Sequence, residues 1–432
     1  MNRLVIKGGR VLDPAAGLDA VCNIYVMAGR IASIKPVKDD TTELLPGAPG
    51  LDIIDATGML VIPGMIDCHT HLREPGYEYK ETIATGAAAA ASGGFTAVMC
   101  MANTKPVNDS ESVTRYILKQ AASTGVKVMP IGALTFGHKG ERLAEMGELK
   151  AAGCVAVSDD GVPVACASIM RRGLEYSRQF NLTVISHAED ISLVGAGVMN
   201  EGAVSTRLGL PGIPNAAEDV IIARDISLAE LSGGRLHLAH VSTAGGVALI
   251  RAAKARGVKV TAEATPHHLT LTDEAVAGYN TFAKMNPPLR TKADCEALIA
   301  GVADGTIDCI ATDHAPQSVI EKDVEFATAA NGIIGLETAF SVIYGLVEAG
   351  AFSLTTAVAA MTANPAKAFG LASGALRVGS AADIAIIDLE KTWTVEPSEL
   401  KSKSKNTPWA GKELKARVMK TIADGKVIFQ RA

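Results

Sequence analysis

The sequence has no cysteine framework. Its seven cysteines, at positions 22, 68, 100, 154, 166, 295 and 309, are odd in number, scattered, and include no C-x-x-C pair. That argues against a disulfide scaffold or a thiolate zinc site and for a reducing compartment. It also lacks a strong charge of either sign: 41 Lys and Arg against 46 Asp and Glu leave a net charge of −5, with no long basic run. No electrostatic footprint for nucleic acid is present, and small molecules or proteins are the expected partners. The start, MNRLVIKGGRVLDP, alternates like a strand and turns at once, so it has no signal-peptide apolar core. Phosphate-loop, dinucleotide-fold and nucleophile-elbow strings are absent, as are heptads and short repeats. One uncharged stretch, residues 82–104, is long enough to imitate a membrane span, but it is Ala-rich, interrupted by Gly93-Gly94 and closed by Asn103. It reads as a helix, a turn and a buried strand. A soluble, cytoplasmic protein without a membrane partner is expected.

What is present, in 432 residues that are 48% apolar and rich in Gly (42), is alternation. Residues 1–58 and 370–432 share a texture of short strands and tight turns, such as CNIYVMAGRIASI and ARVMKTIADGKVIF. Strand-rich ends around a different middle suggest one small β domain, here a β-sandwich, built from both termini. Residues 59–369 alternate apolar runs with Ala-rich segments of helical length. The eight runs are LVIPGMID ending at Asp67, FTAVMCM at Met101, VKVMPI at Ile131, CVAVS at Ser158, LTVISH at His187, RLHLAH at His240, VKVTAE at Glu263 and IDCIAT at Thr312. Eight βα units of this length favour an α/β fold of the (β/α)₈ TIM-barrel type over an open sheet.

Four of the nine histidines, His69, His71, His187 and His240, fall at or just past the ends of these runs, as do Asp160 and Asp313. In a barrel that face gathers catalytic side chains from different strands. In D-C-H-T-H (67–71) residues two apart point to one side of an extended segment, so His69 and His71 face the barrel mouth together, with Asp67 below. Two imidazoles held so are half of a zinc site. His187 and His240 follow runs that should be buried; either alone reads as a satisfied core residue, and the pair reads as ligands. Helix N-capping is the competing role for an Asp at a strand end, and it stays open for Asp159. Six donors exceed the needs of one tetrahedral zinc, whereas two ions sharing a carboxylate would use them all. Metal-assisted hydrolysis or its reversal is the reaction class implied.

DCHTHLREPG (67–76), MANTKP (101–106), SDDGVPV (158–164), SHAED (186–190), HVSTAGG (240–246), TPHHL (265–269), MNPPLR (285–290), TDHAP (312–316), GIIGLET (332–338) and NTPWAG (406–411) occur in order along the chain. Together they make the sequence resemble the amidohydrolase superfamily, and within it the longer bacterial dihydroorotases. The resemblance implies reversible cyclisation of N-carbamoyl-L-aspartate to L-dihydroorotate in pyrimidine synthesis. It implies that His69 and His71 ligate one Zn²⁺, that His187 and His240 ligate another, and that Asp160 bridges them. Related cyclic amidases use a carbamylated lysine there; CVAVS has none, which weighs against a hydantoinase or allantoinase. Asp313 would ligate a metal and act as the catalytic proton shuttle. Arg73 and Asn103 would hold the substrate carboxylate, with Asn286 a further contact. Imidazole and carboxylate ligands by themselves also admit Mn or Co, and one or two ions.

One departure stands out. After TDHAP the family usually has a histidine on the substrate carboxylate, whereas this chain has Gln317, a donor that cannot become cationic. Asn331, where a proline is common, falls in the same loop, about 315–331, a candidate lid. Two other readings follow: a cyclic amidase of hydantoinase or allantoinase type, and a silent homologue acting as structural partner of aspartate carbamoyltransferase. The resemblance also implies a homodimer.

Overall fold

In the computed structural model, which describes residues 3–40 and 50–431, the middle of the chain forms eight parallel strands bonded in sequence order. They are β1 (Met65–Thr70), β2 (Phe95–Cys100), β3 (Lys127–Gly132), β4 (Ala156–Ser158), β5 (Thr183–Ser186), β6 (Leu236–Leu238), β7 (Val260–Ala264) and β8 (Cys309–Ile310). A parallel bridge from Thr70 to His314, with the His71 amide donating to the His314 carbonyl at 2.8 Å, brings the last strand round to the first. This is a TIM barrel, and each of the eight apolar runs supplies one strand. Alternation divides their side chains. Cys68, Met99, Ile131, Ala156, Ile185 and Cys309 fill the barrel interior, while Val98, Val157, Val184, Leu236, Leu238 and Ile310 face the surrounding helices. Buried on both sides, such strands read as continuous apolar runs.

The uncharged stretch at 82–104 contains helix Ile83–Ser92, capped by Thr82 and ended at Gly93, and then β2. A Cβ on Gly93 would lie 2.0 Å from the Leu336 carbonyl oxygen, and Gly94 has φ +90°, so this turn requires both glycines. None of the described helices is long and apolar enough to cross a membrane.

The run LVIPGMID is not one strand. Leu60–Pro63 pairs with Ile384–Thr394 and with the chain's first strand, and only Met65–Thr70 enters the barrel. Gly64 is the joint, because a Cβ there would sit 2.2 Å from Thr96 Oγ1. The second sheet is mixed and eight-stranded. It takes Arg3–Asp13, Leu18–Met27, Arg30–Pro36, Leu51–Asp55 and Leu60–Pro63 from the N-terminal side and Ile384–Thr394, Glu413–Ala423 and Lys426–Gln430 from the C-terminal side. Of the expected terminal segments, residues 1–2, 41–49 and 432 lie outside the described residues.

Between Ile384–Thr394 and Glu413–Ala423 the chain leaves this sheet and crosses to the barrel as a strap, residues 395–411. The protein's two tryptophans anchor it: Trp393 and Trp409 pack with Val395 and Leu400 against Met285, Ala315, Ile333 and Ile334.

Candidate metal centre and active site

Asp67, His69 and His71 are spaced two apart along β1 and the residue after it, where the pairing with β2 shifts register between Asp67 and Thr70, and Cys68 and His69 both reach Glu263. Asp67 bonds across the barrel seam: its carboxylate accepts the His69 amide at 3.1 Å, the Thr312 amide and, at 2.5 Å, the Thr312 hydroxyl. Burial pushes its pKa up to about 6. Above it, at the C-terminal ends of β1, β4, β5, β6 and β8, the six expected ligands converge. His69 Nε2 lies 3.5 Å from Asp160 Oδ1 and 3.4 Å from Asp313 Oδ1. His71 Nε2 lies 3.5 Å from Asp160 Oδ2 and 2.9 Å from Asp313 Oδ1. On the other side Asp160 Oδ1 is 3.6 Å from His187 Nδ1 and 3.4 Å from His240 Nε2, and those two nitrogens are 2.9 Å apart. Asp160 thus turns one oxygen to His71 and the other to His69, His187 and His240.

The residues fit a divalent cation. His69 Nε2 and Asp160 Oδ1 are buried and have no hydrogen-bond partner among the described residues, a costly state unless a cation shares them. Three subsets, His69/His71/Asp160, His69/His240/Asp313 and Asp160/His187/His240, each bring their ligand atoms within 4.8 Å of one another. The electrostatics agree. Burial works to keep His69 neutral, yet Asp160, Asp313 and Glu263 outweigh it and raise its pKa well above the usual imidazole value. His187, also buried, is pushed up to about 10 by Asp160 and Glu189. Against their own burial, Asp160 is held well below the carboxylate range, chiefly by His69, and Asp313 is held at about 2 by His69 and His71. The cluster demands positive charge, and a divalent ion on neutral imidazoles supplies it.

Local backbone strain accompanies this convergence. Arg73, His240 and Asp313 have φ of 65°, 31° and 45°, a region that non-glycine residues seldom occupy and that clusters at functional sites.

A cavity of about 190 Å³ opens over the ligands and is lined by Arg73, Asn103, Asn286 and Gln317, together with His71, Asp160, His187, His240 and Asp313. A roomier hollow of about 610 Å³, between strands of the second sheet, gathers no cluster of metal-ligating side chains among the described residues. Arg73 donates through Nε to the Pro316 carbonyl at 3.1 Å, and its terminal nitrogens have no partner among the described residues. Asn103 Oδ1 is 3.0 Å from His71 Nδ1. Only a protonated Nδ1 satisfies that oxygen, which leaves the Nε2 lone pair toward the carboxylates. Asn286 Nδ2 lies 3.4 Å from His187 Nε2. Gln317 is already engaged, by Lys80 Nζ on its Oε1 and by the Asn331 carbonyl on its Nε2.

Asp159, for which helix capping stayed open, caps no helix. It accepts the Leu134 and Thr135 amides at 2.8 and 2.9 Å and the Thr135 hydroxyl, tying down the loop after β3. Two residues were missed. Glu263, on β7, holds His69 Nδ1 at 2.6 Å and His237 Nε2 at 3.0 Å and accepts from Cys68 at 3.1 Å. A carboxylate behind a ligating histidine fixes its tautomer and raises its basicity. The only signal was an acid ending the apolar run VKVTAE. Asn406, in the strap, gave no signal beyond its place in NTPWAG.

The model of the dihydro-orotase-like family matches residues 58–245. Over 430 residues the chain is 55% identical to a dihydroorotase of Anaeromyxobacter dehalogenans (strain 2CP-C), covering 99% of this chain and 98% of the relative. It is 56% identical over 430 residues to a dihydroorotase of Geobacter metallireducens, covering 99% and 100%. Among solved structures, an L-hydantoinase (dihydropyrimidinase) from Arthrobacter aurescens superposes with a TM-score of 0.88 at 24% identity, covering 100% of this chain and 97% of the other, a likeness of fold. The chain belongs to the dihydroorotase family.

Proposed function

We propose that the protein catalyses the reversible, zinc-dependent interconversion of L-dihydroorotate and N-carbamoyl-L-aspartate in pyrimidine synthesis, in the cytoplasm, with residues 59–369 as the catalytic unit and 1–58 plus 370–432 as a supporting domain. One observation carries this reading: six imidazole and carboxylate donors from five strand ends, Asp160 shared among them, meet at a cavity that Arg73 also lines. Full-length identity to dihydroorotases supports it.

His69, His71, Asp160, His187, His240 and Asp313 would hold two Zn²⁺, with Asp160 between them. Bound there, the pair acidifies a water and polarises the ring carbonyl. The chain's residues supply the rest. Arg73, Asn103, Asn286 and Gln317 bind and orient the substrate, and the planar guanidinium of Arg73 suits a bidentate grip on its carboxylate. Asp313 accepts the proton released as the water oxygen bonds to the ring acyl carbon. It delivers that proton to the ring nitrogen as the acyl carbon–nitrogen bond breaks, a role that its 2.9 Å contact with His71 steadies. Asn103 and Glu263 keep the donor nitrogens of His71 and His69 turned to the centre.

The test is metal content measured beside turnover of dihydroorotate, hydantoin, dihydrouracil and allantoin. Two zinc ions per chain and turnover of dihydroorotate are expected; turnover of the other three alone overturns the reading. A homodimer goes with this function, and light scattering with and without aspartate carbamoyltransferase reads both assemblies.

A further inference from the structure

Gln317 stands where the resemblance leads one to expect an imidazole, and its surroundings restrict it more than an amide on a loop is usually restricted. It is only 8% exposed and lines the cavity beside Arg73. Its Oε1 is 2.8 Å from Lys80 Nζ and its Nε2 is 2.7 Å from the Asn331 carbonyl oxygen. An ammonium only donates and a carbonyl only accepts, so the two neighbours allow one orientation of the amide and forbid the flipped one. The backbone is pinned as well: the Gln317 amide donates to Asn406 Oδ1 at 3.1 Å. With the oxygen satisfied by a cation and one Nε2–H given to Asn331, the amide offers a ligand its second Nε2–H. An ammonium on the oxygen end polarises the group and strengthens that donor.

Lys80 is itself held in place. Its Nζ pairs with Glu321 Oε1 at 2.7 Å, its side chain is 13% exposed, and it stands 5.5 Å from the ring centroids of both Tyr77 and Tyr79. Its carbonyl accepts from Ser404 Oγ of the strap at 2.6 Å. It does not line the cavity, so its hydrogen-bonded link to a ligand runs through Gln317.

We propose that Lys80 is a positioning residue that holds Gln317 as a fixed N–H donor toward the acid group of the ligand, selecting anionic rings over neutral ones. The loop thereby keeps the donor function of an imidazole, with the cation supplied from behind by Lys80. The proposal rests on the function above only in placing the ligand's acid next to Arg73.

Calorimetric titration with orotate and uracil, two unreactive rings differing in the carboxylate, reads binding without turnover; steady-state kinetics on dihydroorotate accompany it. A hydrogen bond to a charged group corresponds to about tenfold or more in affinity. The native protein should prefer orotate to uracil. Lys80→Met should erode that preference about tenfold and raise KM for dihydroorotate similarly, with kcat within about threefold, and Lys80→Arg should restore both. Loss of affinity for orotate and uracil alike, a fall in kcat with orotate binding unchanged, or no preference in the native protein overturns the proposal. If Lys80→Met does not fold, Gln317→Glu carries the test: a carboxylate cannot donate, so orotate must weaken far more than uracil, and equal weakening overturns the proposal. Native protein that prefers orotate yet does not hydrolyse dihydroorotate would sink the functional reading and leave this one standing.

Discussion

At the level of single residues, the least conspicuous acid has the widest reach. Glu263 is wholly buried and touches His69, His237, Cys68 and the His240 amide, the last at 3.2 Å. Through it two candidate ligands from different strands share one anchor. Glu263→Gln keeps the shape but removes the charge behind His69 and puts an N–H donor where His237 and Cys68 now meet an acceptor, so His69 loses the basicity that a carboxylate confers. Metal affinity should fall about 10–100-fold, the range for a partner standing behind a ligand, as read by chelator competition, with the fold retained by circular dichroism. Lys322 sets a pH dependence remote from the metal. Its side chain is 1% exposed, and its ammonium donates to the Thr281 and Lys284 carbonyls at 2.9 and 3.2 Å. Burial, reinforced by Lys284, pushes its pKa down to about 7 from 10.5. Between those values the unfolded chain binds the proton that the native chain has shed, so stability rises with pH across this window and is flat below it. The urea midpoint should therefore climb from pH 7 toward pH 9, and Lys322→Met should flatten that climb.

Among the elements, the strap at 395–411 braces the cavity from behind, bonding to the segments that line it without lining it itself. It bonds to both flanks of the site. Ser402 Oγ and the Lys403 amide reach Glu81, and Lys403 Nζ reaches the Glu78 carbonyl, on the segment after β1. Asn406 donates to the Ala315 and Gly332 carbonyls, each at 3.0 Å, and its own carbonyl accepts the Ile334 amide on the segment after β8. Its side-chain amide, 2% exposed and saturated on both ends, leaves the Ala315 and Gly332 carbonyls and the Gln317 amide unpaired if it is truncated, at a cost of about 1–3 kcal/mol per buried group. Asn406→Ala should accelerate amide exchange at residues 313–334 while β3 to β6 keep their protection. Uniform acceleration across the barrel would mean that the strap stabilises the whole fold and not the site.

For the whole molecule, the candidate ligands belong to β1, β4, β5, β6 and β8, or to the residues just beyond them, so one centre bound there would cross-link five of the eight barrel strands. A ligand present at a hundred times its dissociation constant adds about 2.7 kcal/mol to stability. Chelation should therefore lower Tm by several degrees, and added zinc should restore it. An unchanged Tm would show that the barrel holds the ligand geometry without the ion.

Much of this architecture is legible in one dimension. The eight apolar runs, the helix and turn at 82–104, and the alternation of His69 with His71 depend on periodicities of two and about four residues, which neighbouring positions impose on any chain. Other features depend on who meets whom after closure. Gly64 divides LVIPGMID because Leu60–Pro63 finds its partner at Ile384–Ile387, more than three hundred positions away. Asp159 and Asp160 are identical neighbours just past β4, and only the folded chain sends one to the loop after β3 and the other among four imidazoles. Glu263 and Lys80 look like any acid at a strand end and any loop lysine until the barrel sets them against His69, 194 positions off, and Gln317, 237 positions off. Strand identity is settled by local sterics and burial. Ligand pairing, tautomer and amide orientation are settled by contacts between segments that only the closed barrel and its strap bring within hydrogen-bond range.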